Sequence, residues 1–311
     1  MWRYILKRLI MMIFVVLGVA ILIFSIMYFI PGNPAQIILG ATATQEQVDE
    51  LSHQMGLDQP YLVQLGRYLV DTFLKGDLGT SYQSKLPVAQ ELLERFPRTL
   101  TIAAWSILVT ALVGIPIGII AATHQGKWQD YTAIVLSMVG ISLPGFWLAL
   151  IMINWLCVQH QWLPAYGIDS WKSYIIPVIS NSVVGIAMIG RQCRVDVLEV
   201  IRSDYVTTAR AKGVSNRNTI YKHVMPNALI PLITSLGSTF ANSLGGTVVT
   251  ESIFVIPGIG LYMTKAIGSL DYPAVRSGVV VIAIAFSFVM LIVDLIYAFV
   301  DPRIKAQYEG K

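Results

Sequence analysis

The sequence predicts an all-α polytopic membrane protein with six transmembrane helices. Three observations predict it. Of 311 residues, 55% are hydrophobic and only 13% are charged, against roughly 25% charged in an ordinary soluble domain. The mean hydropathy is +0.64. Six stretches are long and apolar enough to cross a hydrocarbon core, which takes about 20 helical residues. A compact soluble enzyme of this composition could not coat its surface in charge. The two cysteines, Cys157 and Cys193, support neither a disulfide framework nor a cysteine-rich metal site.

The predicted spans follow in order. Leu9 to Ile30 is a continuous apolar run behind Arg3, Lys7 and Arg8. At 22 residues it exceeds the 7 to 15 of a signal-peptide core, and no small-x-small cleavage site follows, so it reads as a retained anchor. Thr99 to Gly126 and Tyr131 to Ile168 contain no Asp, Glu, Lys or Arg, and Ser173 to Gly190 is shorter but equally clean. His223 to Thr250 and Ser277 to Val293 complete the set, the last continuing past Asp294 to Val300. Six spans place both termini on one side. The N-terminal tail, the Lys127 loop, the Arg191 to Lys222 loop and the tail from Arg303 hold 14 Lys and Arg, against 8 on the opposite side. Both ends are therefore predicted to be cytoplasmic. The opposite loop, about residues 31–98, carries eight acids and five bases, with amphipathic helices expected over Gln45 to Met55 and Pro60 to Phe73.

The loop between the fourth and fifth spans carries the most specific pattern. Ser203 and Asp204 suit a helix N-cap, Gly213 suits a helix end, Ser215 suits a second cap, and Pro226 limits or bends the exit. Two short helices separated by a glycine are predicted. Such a hairpin is more than the positive-inside rule alone requires.

Thr207-Thr-Ala209, Gly213 and His223-Val-Met225-Pro226 resemble the Glu-Ala-Ala loop of permease subunits in bacterial ABC importers. Ala209, Gly213 and Pro226 match that pattern, and Thr207 stands where the general family has Glu. Pro31-Gly-Asn-Pro34, Gly56-Leu-Asp-Gln-Pro60, Gly76-Asp-Leu-Gly79, Glu251-Ser-Ile-Phe254, Pro257-Gly-Ile-Gly260, Asp271-Tyr-Pro273 and Asp301-Pro-Arg303 are similar to the peptide and nickel branch. The chain thus resembles the B-type membrane subunit of a dipeptide or oligopeptide importer, with nickel-chelate and glutathione importers as alternatives. The resemblance implies a type I importer permease fold in a bacterial inner membrane. It also implies a second similar permease, two cytoplasmic ATPase subunits that hold ATP and Mg, an extracytoplasmic solute-binding protein and a peptide substrate. The divisions it suggests are an anchor with outer loop over 1–95 and a transport core over 96–304, with a coupling loop at about 199–226. Nothing in the sequence matches Gly-x-x-x-x-Gly-Lys-Ser/Thr, so the chain is read as non-catalytic and without a cofactor of its own.

A coupling element must turn movement outside the bilayer into tilting inside it, which a short rigid helix does. Tyr205, Ala209, Arg210, Gly213 and Pro226 are its candidate residues, with Tyr205 as anchor, Ala209 and Gly213 allowing close approach and Arg210 offering a charged hydrogen bond. Polar residues inside spans mark a solute path or an interhelical bond. Asn154, Asn181 and Asn242 are the candidates for the path, with the interhelical bond as the simpler reading of each. Asp294 suits pairing with a cytoplasmic base. Phe254 and Pro257 are candidates for an outer gate dipping back towards the membrane. Pro116 and Pro144 suggest bent spans. The scattered His53, His124, His160 and His223 make neither a catalytic triad nor a zinc site. The basic loop has too modest a net charge for nucleic acid. An ion-coupled secondary transporter is the rival class, and the scarcity of intramembrane charge counts against it.

Overall fold

The computed structural model describes residues 2–40 and 42–300. The described residues form helices and loops: α1 Trp2–Phe29, α2 Pro34–Leu39, α3 Gln45–Gln54, α4 Tyr61–Leu74, α5 Val88–Thr123, α6 Trp128–Ser142, α7 Gly145–Met152, α8 Ile175–Ile201, α9 Asp204–Ala211, α10 Asn216–Asn218, α11 Met225–Phe254, α12 Ile259–Gly268 and α13 Tyr272–Val300. A π-helical stretch, Ile153–Gln159, extends α7, and a second, Thr219–Val224, joins α10 to α11.

Five helices are long and apolar enough to cross a membrane, and two further pairs reach that length only across a bend. The third predicted span is one of these pairs. It turns by 94° between α6 and α7, where Pro144 cannot donate a backbone hydrogen bond and holds Leu143 extended at φ −81°, ψ 122°. Counting that pair as one span gives the six predicted. The second pair, residues 247–254 and 259–268, bends by 83° just after Phe254. The second and fourth predicted spans are longer than their apolar runs, because α5 begins at Val88 and α8 continues to Ile201. The helix α5 passes unbroken through residues 95 and 96. Residues 301–304 and the Asp301-Pro-Arg303 motif lie outside the described residues.

The most extensive packing is α5 against α8. Small residues permit it: a Cβ on Gly118 would stand 2.6 Å from the Gly190 carbonyl oxygen and 2.5 Å from Cys193 Cβ. Hydroxyls line the same seam. Ser182 Oγ donates to the Ser106 carbonyl at 3.1 Å, and Asn181 Nδ2 donates to Ser106 Oγ at 3.2 Å. At the other flank α1 lies along α13, and Arg8 pairs with Asp294 at 2.8 Å, the partner type expected for an acid inside a span. Cys157 and Cys193 are both free.

The loop of residues 31–87 folds over one end of this bundle. Asn33 caps α2 by accepting from the Ala35 N–H at 2.9 Å, and Thr44 with Gln47 makes a capping box on α3. Tyr68, Leu69 and Phe73 of α4 pack on Val16, Ala20 and Val280. Two of the short sequence motifs meet here. Buried Asp271 accepts from Ser81 Oγ at 2.5 Å and from the Ala274 N–H at 3.4 Å, while Ser277 Oγ donates to the Leu78 carbonyl at 2.9 Å. The 76–84 turn is thereby fastened to the start of α13.

Candidate functional site

The loop after α8 is built as two short helices around a glycine, as predicted. Ser203 takes the N-cap position of α9, but its hydroxyl donates back to the Val200 carbonyl at 2.7 Å instead of capping the helix. At the other end Gly213 has φ +80°. Its N–H donates to the Arg210 carbonyl at 2.9 Å and the Val214 N–H donates to the Ala209 carbonyl at 3.2 Å. That pair of bonds is a Schellman closure, which needs a left-handed residue and so favours glycine. Nothing lies within 4 Å of a Cβ built on Gly213. The left-handed turn by itself requires a glycine at this position.

Val206 seats α9 on the bundle. It is fully buried in an apolar cluster with Ala122 of α5, Cys193 and Val197 of α8, Ile220 and Val224 of the π-helical stretch, and Ala228 and Leu232 of α11. Ala209 is also turned inward, 8% exposed. Tyr205 ties the same helix to α11: Asn227 Nδ2 donates to its hydroxyl at 2.8 Å, and that hydroxyl donates to the His223 carbonyl at 3.4 Å. Pro226 is the second residue of α11, directly after the π-helical stretch Thr219–Val224. The outward face of α9 holds Thr207, Thr208 and Arg210, all exposed. Of the predicted coupling residues, Arg210 thus stands free on the surface, Tyr205 is half bonded to the bundle, and Ala209 lies beneath. Val206 is the anchor that sequence reasoning missed; its apolar side chain among polar neighbours was the signal.

A part-buried ion pair stiffens the stem of this loop. Arg194 of α8 donates from Nε to Asp130 Oδ1 at 2.5 Å and from Nη2 to Oδ2 at 2.9 Å, and the Gly126 N–H donates to Oδ2 at 3.0 Å. Asp130 is 3% exposed. Two parallel bonds fix the angle between the planar groups as well as their distance. Hence the end of α8 that leads into α9 is pinned to the start of α6.

At the opposite end of α11, Glu251 is fully buried. Thr99 Oγ1 donates to its Oε1 at 2.6 Å, the Leu261 N–H donates to its Oε2 at 3.0 Å, and Thr99 Oγ1 accepts from the Ile259 N–H at 2.9 Å. A Cβ on Gly258 would stand 2.4 Å from this carboxyl group, and one on Gly260 2.9 Å from Oε2. Gly258 thus lets the backbone close over the acid, while a Cβ on Gly260 would first meet the backbone of Val248, 2.5 Å from its Cα. Arg98 Nη1 donates to the Pro257 carbonyl at 3.0 Å. Phe254 is buried with Ile102, Ala149, Ile153, Ile176 and Ile256, while Val255 takes φ +51° and is 53% exposed. Of the three asparagines, Asn181 makes the interhelical bond described above, and Asn154 and Asn242 are exposed on the π-helical stretch after α7 and on α11.

Residues 114–306 match the family described as binding-protein-dependent transport system inner membrane component, and residues 1–103 match the N-terminal family of the same membrane components. The chain belongs to this family. Similar relatives of this transport system component include the dipeptide transport system permease protein DppB of Alkalihalophilus pseudofirmus, 39% identical over 98% of this chain and 100% of the relative. The glutathione transport system permease protein GsiC is 37% identical in Salmonella typhimurium and 35% in Escherichia coli K12, each over 98% of this chain and 99% of the relative. Among solved structures, an inward-facing MetNI methionine ABC transporter chain aligns with a TM-score of 0.58 at 18% identity, covering 68% of this chain and 97% of that one. The inner membrane component fold is thus that of an ABC transporter permease, and the apolar helices agree with a multi-pass inner membrane protein.

Proposed function

We propose that this chain is the permease subunit of an ATP-driven importer of short peptides, forming half of a translocation path with a second, similar permease. Two ATPase subunits drive it from the cytoplasmic side, where both termini lie, and an extracytoplasmic solute-binding protein delivers the peptide. The observation that carries the coupling role is the seating of α9. Its inner face, through Val206, is part of one apolar cluster with α5, α8 and α11, so a push on its outer face moves spans together instead of bending a loop. The names of the relatives support a peptide-like solute, dipeptide or glutathione.

Arg210→Glu tests the docking face. The residue is exposed, so thermal stability should change by less than about 0.5 kcal/mol, while a reversed charge at an interface should lower ATP-driven uptake at least about tenfold, equivalent to about 1.4 kcal/mol. Uptake is measured in proteoliposomes holding all subunits and an ionophore. Wild-type uptake by the variant would remove the docking role. Uptake that persists without nucleotide and collapses with the ionophore would establish a gradient-driven carrier instead.

A further inference from the structure

The helix α4 leaves an apolar ridge uncovered. Leu62, Gly66, Val70 and Leu74 recur every fourth residue with Val63 beside them, and all five are exposed. Leu62 and Leu74 are 74% and 80% exposed. The polar residues of the same helix keep to one edge, where they are already bonded. Gln64 Nε2 donates to the Leu57 and Gln59 carbonyls at 2.9 and 2.8 Å, Arg67 Nη2 donates to Gln59 Oε1 at 3.0 Å, and Lys75 pairs with Asp71 at 2.8 Å. A third side rests on α1 and α13. Leu69 and Phe73 pack on Val16, Ala20 and Val280, the Tyr68 ring centre lies 5.3 Å from that of Phe24, and the Tyr61 ring centre lies 5.1 Å from that of Tyr28.

The depth of that third side decides what the ridge meets. Arg8 and Asp294 pair at 2.8 Å and so mark one level at the N-terminal end of α1. Counted up α1 at about 1.5 Å per residue, Val16 stands about 12 Å and Tyr28 about 30 Å above that level. A hydrocarbon core is itself about 30 Å thick, so these contacts of α4 fall within it. The return from α4 is closed as such a depth requires: the Lys75 and Asp77 N–H groups donate to the Val70 and Asp71 carbonyls at 3.2 and 2.9 Å, and Ser277 Oγ donates to the Leu78 carbonyl at 2.9 Å. Ser277 lies about 25 Å up α13 from Asp294. From this register we infer that α4 is embedded in the leaflet farther from the N-terminus, with Leu62, Val63, Val70 and Leu74 against lipid acyl chains and the edge of Gln64, Arg67, Asp71 and Lys75 turned toward the headgroups. The span on which α4 lies presents the same chemistry outward, through the exposed Ile13, Phe14, Leu22 and Ile26, so the ridge extends a surface that already meets lipid. Leucine and valine side chains offer a soluble partner no hydrogen bond, which favours hydrocarbon over a docked protein. The inference depends neither on the solute nor on which side of the membrane holds the termini.

The test uses the full chain in lipid nanodiscs, which leave both membrane faces open to reagents, in a background of Cys157→Ala with Cys193→Ala. A nitroxide is attached at Leu62→Cys, Val70→Cys or Leu74→Cys, and its collisions with oxygen, which concentrates in hydrocarbon, are compared with its collisions with a water-soluble nickel chelate. Leu22→Cys on α1 supplies the lipid reference and Glu50→Cys on the polar helix α3 the water reference. The three ridge labels should behave like the label at position 22, and one at Arg67→Cys more like that at position 50. The same ridge cysteines should react with a water-soluble maleimide at least about tenfold more slowly than Glu50→Cys, because water is scarce in hydrocarbon. Ridge labels that meet the nickel chelate as often as the label at position 50 would overturn the inference, whether or not an added extracytoplasmic protein then covers them. Labels shielded from oxygen and chelate alike would overturn it as well, since a second copy of the chain would then occupy the ridge in place of lipid.

Discussion

Arg194→Ala should destabilise the folded chain by about 2–3 kcal/mol, less than the cost of breaking a fully buried pair because the Arg194 side chain is 21% exposed while Asp130 is left buried. Asp130 is 3% exposed and would keep only the Gly126 N–H as a donor. Removing both charges together, Asp130→Ala with Arg194→Ala, should recover at least half of that loss, because no unpaired charge then remains buried. Thermal or denaturant unfolding in detergent reads the difference. Since α8 runs from Arg194 directly to the start of α9, the single variant should also lose most of its ATP-driven uptake at temperatures where it stays folded. A single variant as stable as the wild type would show that this pair does not hold α6 to α8.

Glu251→Ala should cost about 3 kcal/mol, because it strands the Thr99 hydroxyl and the Leu261 N–H and opens a void. Its interaction with Gly258 gives a sharper reading. Alone, Gly258→Ala forces a methyl group 2.4 Å from the carboxyl carbon of Glu251, and overpacking of this kind costs about 1–3 kcal/mol. With Glu251 already replaced by Ala, the same methyl should cost almost nothing. A double-mutant cycle measures that coupling; strictly additive losses would mean that Gly258 is needed for a reason other than the acid beneath it.

Much of the bundle was legible because membrane spans are a matter of composition. Runs without charge located five helices and the broken pair, and the helix breaker Pro144 was visible although its 94° turn was not. The hairpin of α9 was legible because Gly213 and Ser215 act locally, on their own turns. What stayed hidden depends on residues far apart in sequence. Asp130 and Arg194 are separated by 64 positions and Glu251 and Thr99 by 152, and nothing in either neighbourhood announces the other. Glu251-Ser-Ile-Phe254 and Pro257-Gly-Ile-Gly260 were noticed as motifs, yet the reason for them, an acid closed under Gly258 and a backbone crossing at Gly260, is a property of the bend. Phe254 was expected at a gate from its apolar stretch and the family resemblance, and the same apolarity describes the packed position it occupies within the chain. Ala209 and Gly213 were expected to permit approach by a partner; within the chain itself Ala209 packs inward and Gly213 holds a left-handed turn. Substitutions such as Ala209→Glu or Gly213→Pro would therefore damage the loop, and the exposed Arg210 is the better probe.

The coupling role of α9 can be observed directly by placing a photoreactive side chain at Thr207 or Arg210, on its exposed face, and at Val206, on its buried face, in cells that express the whole transporter. Thr207 and Arg210 should crosslink to an ATPase subunit, with the yield changing when nucleotide is trapped, and Val206 should crosslink only within the chain. Absence of any ATPase product from either exposed position, or labelling of Arg210→Cys by a membrane-impermeant reagent added outside the cell, would contradict a coupling helix on the cytoplasmic side.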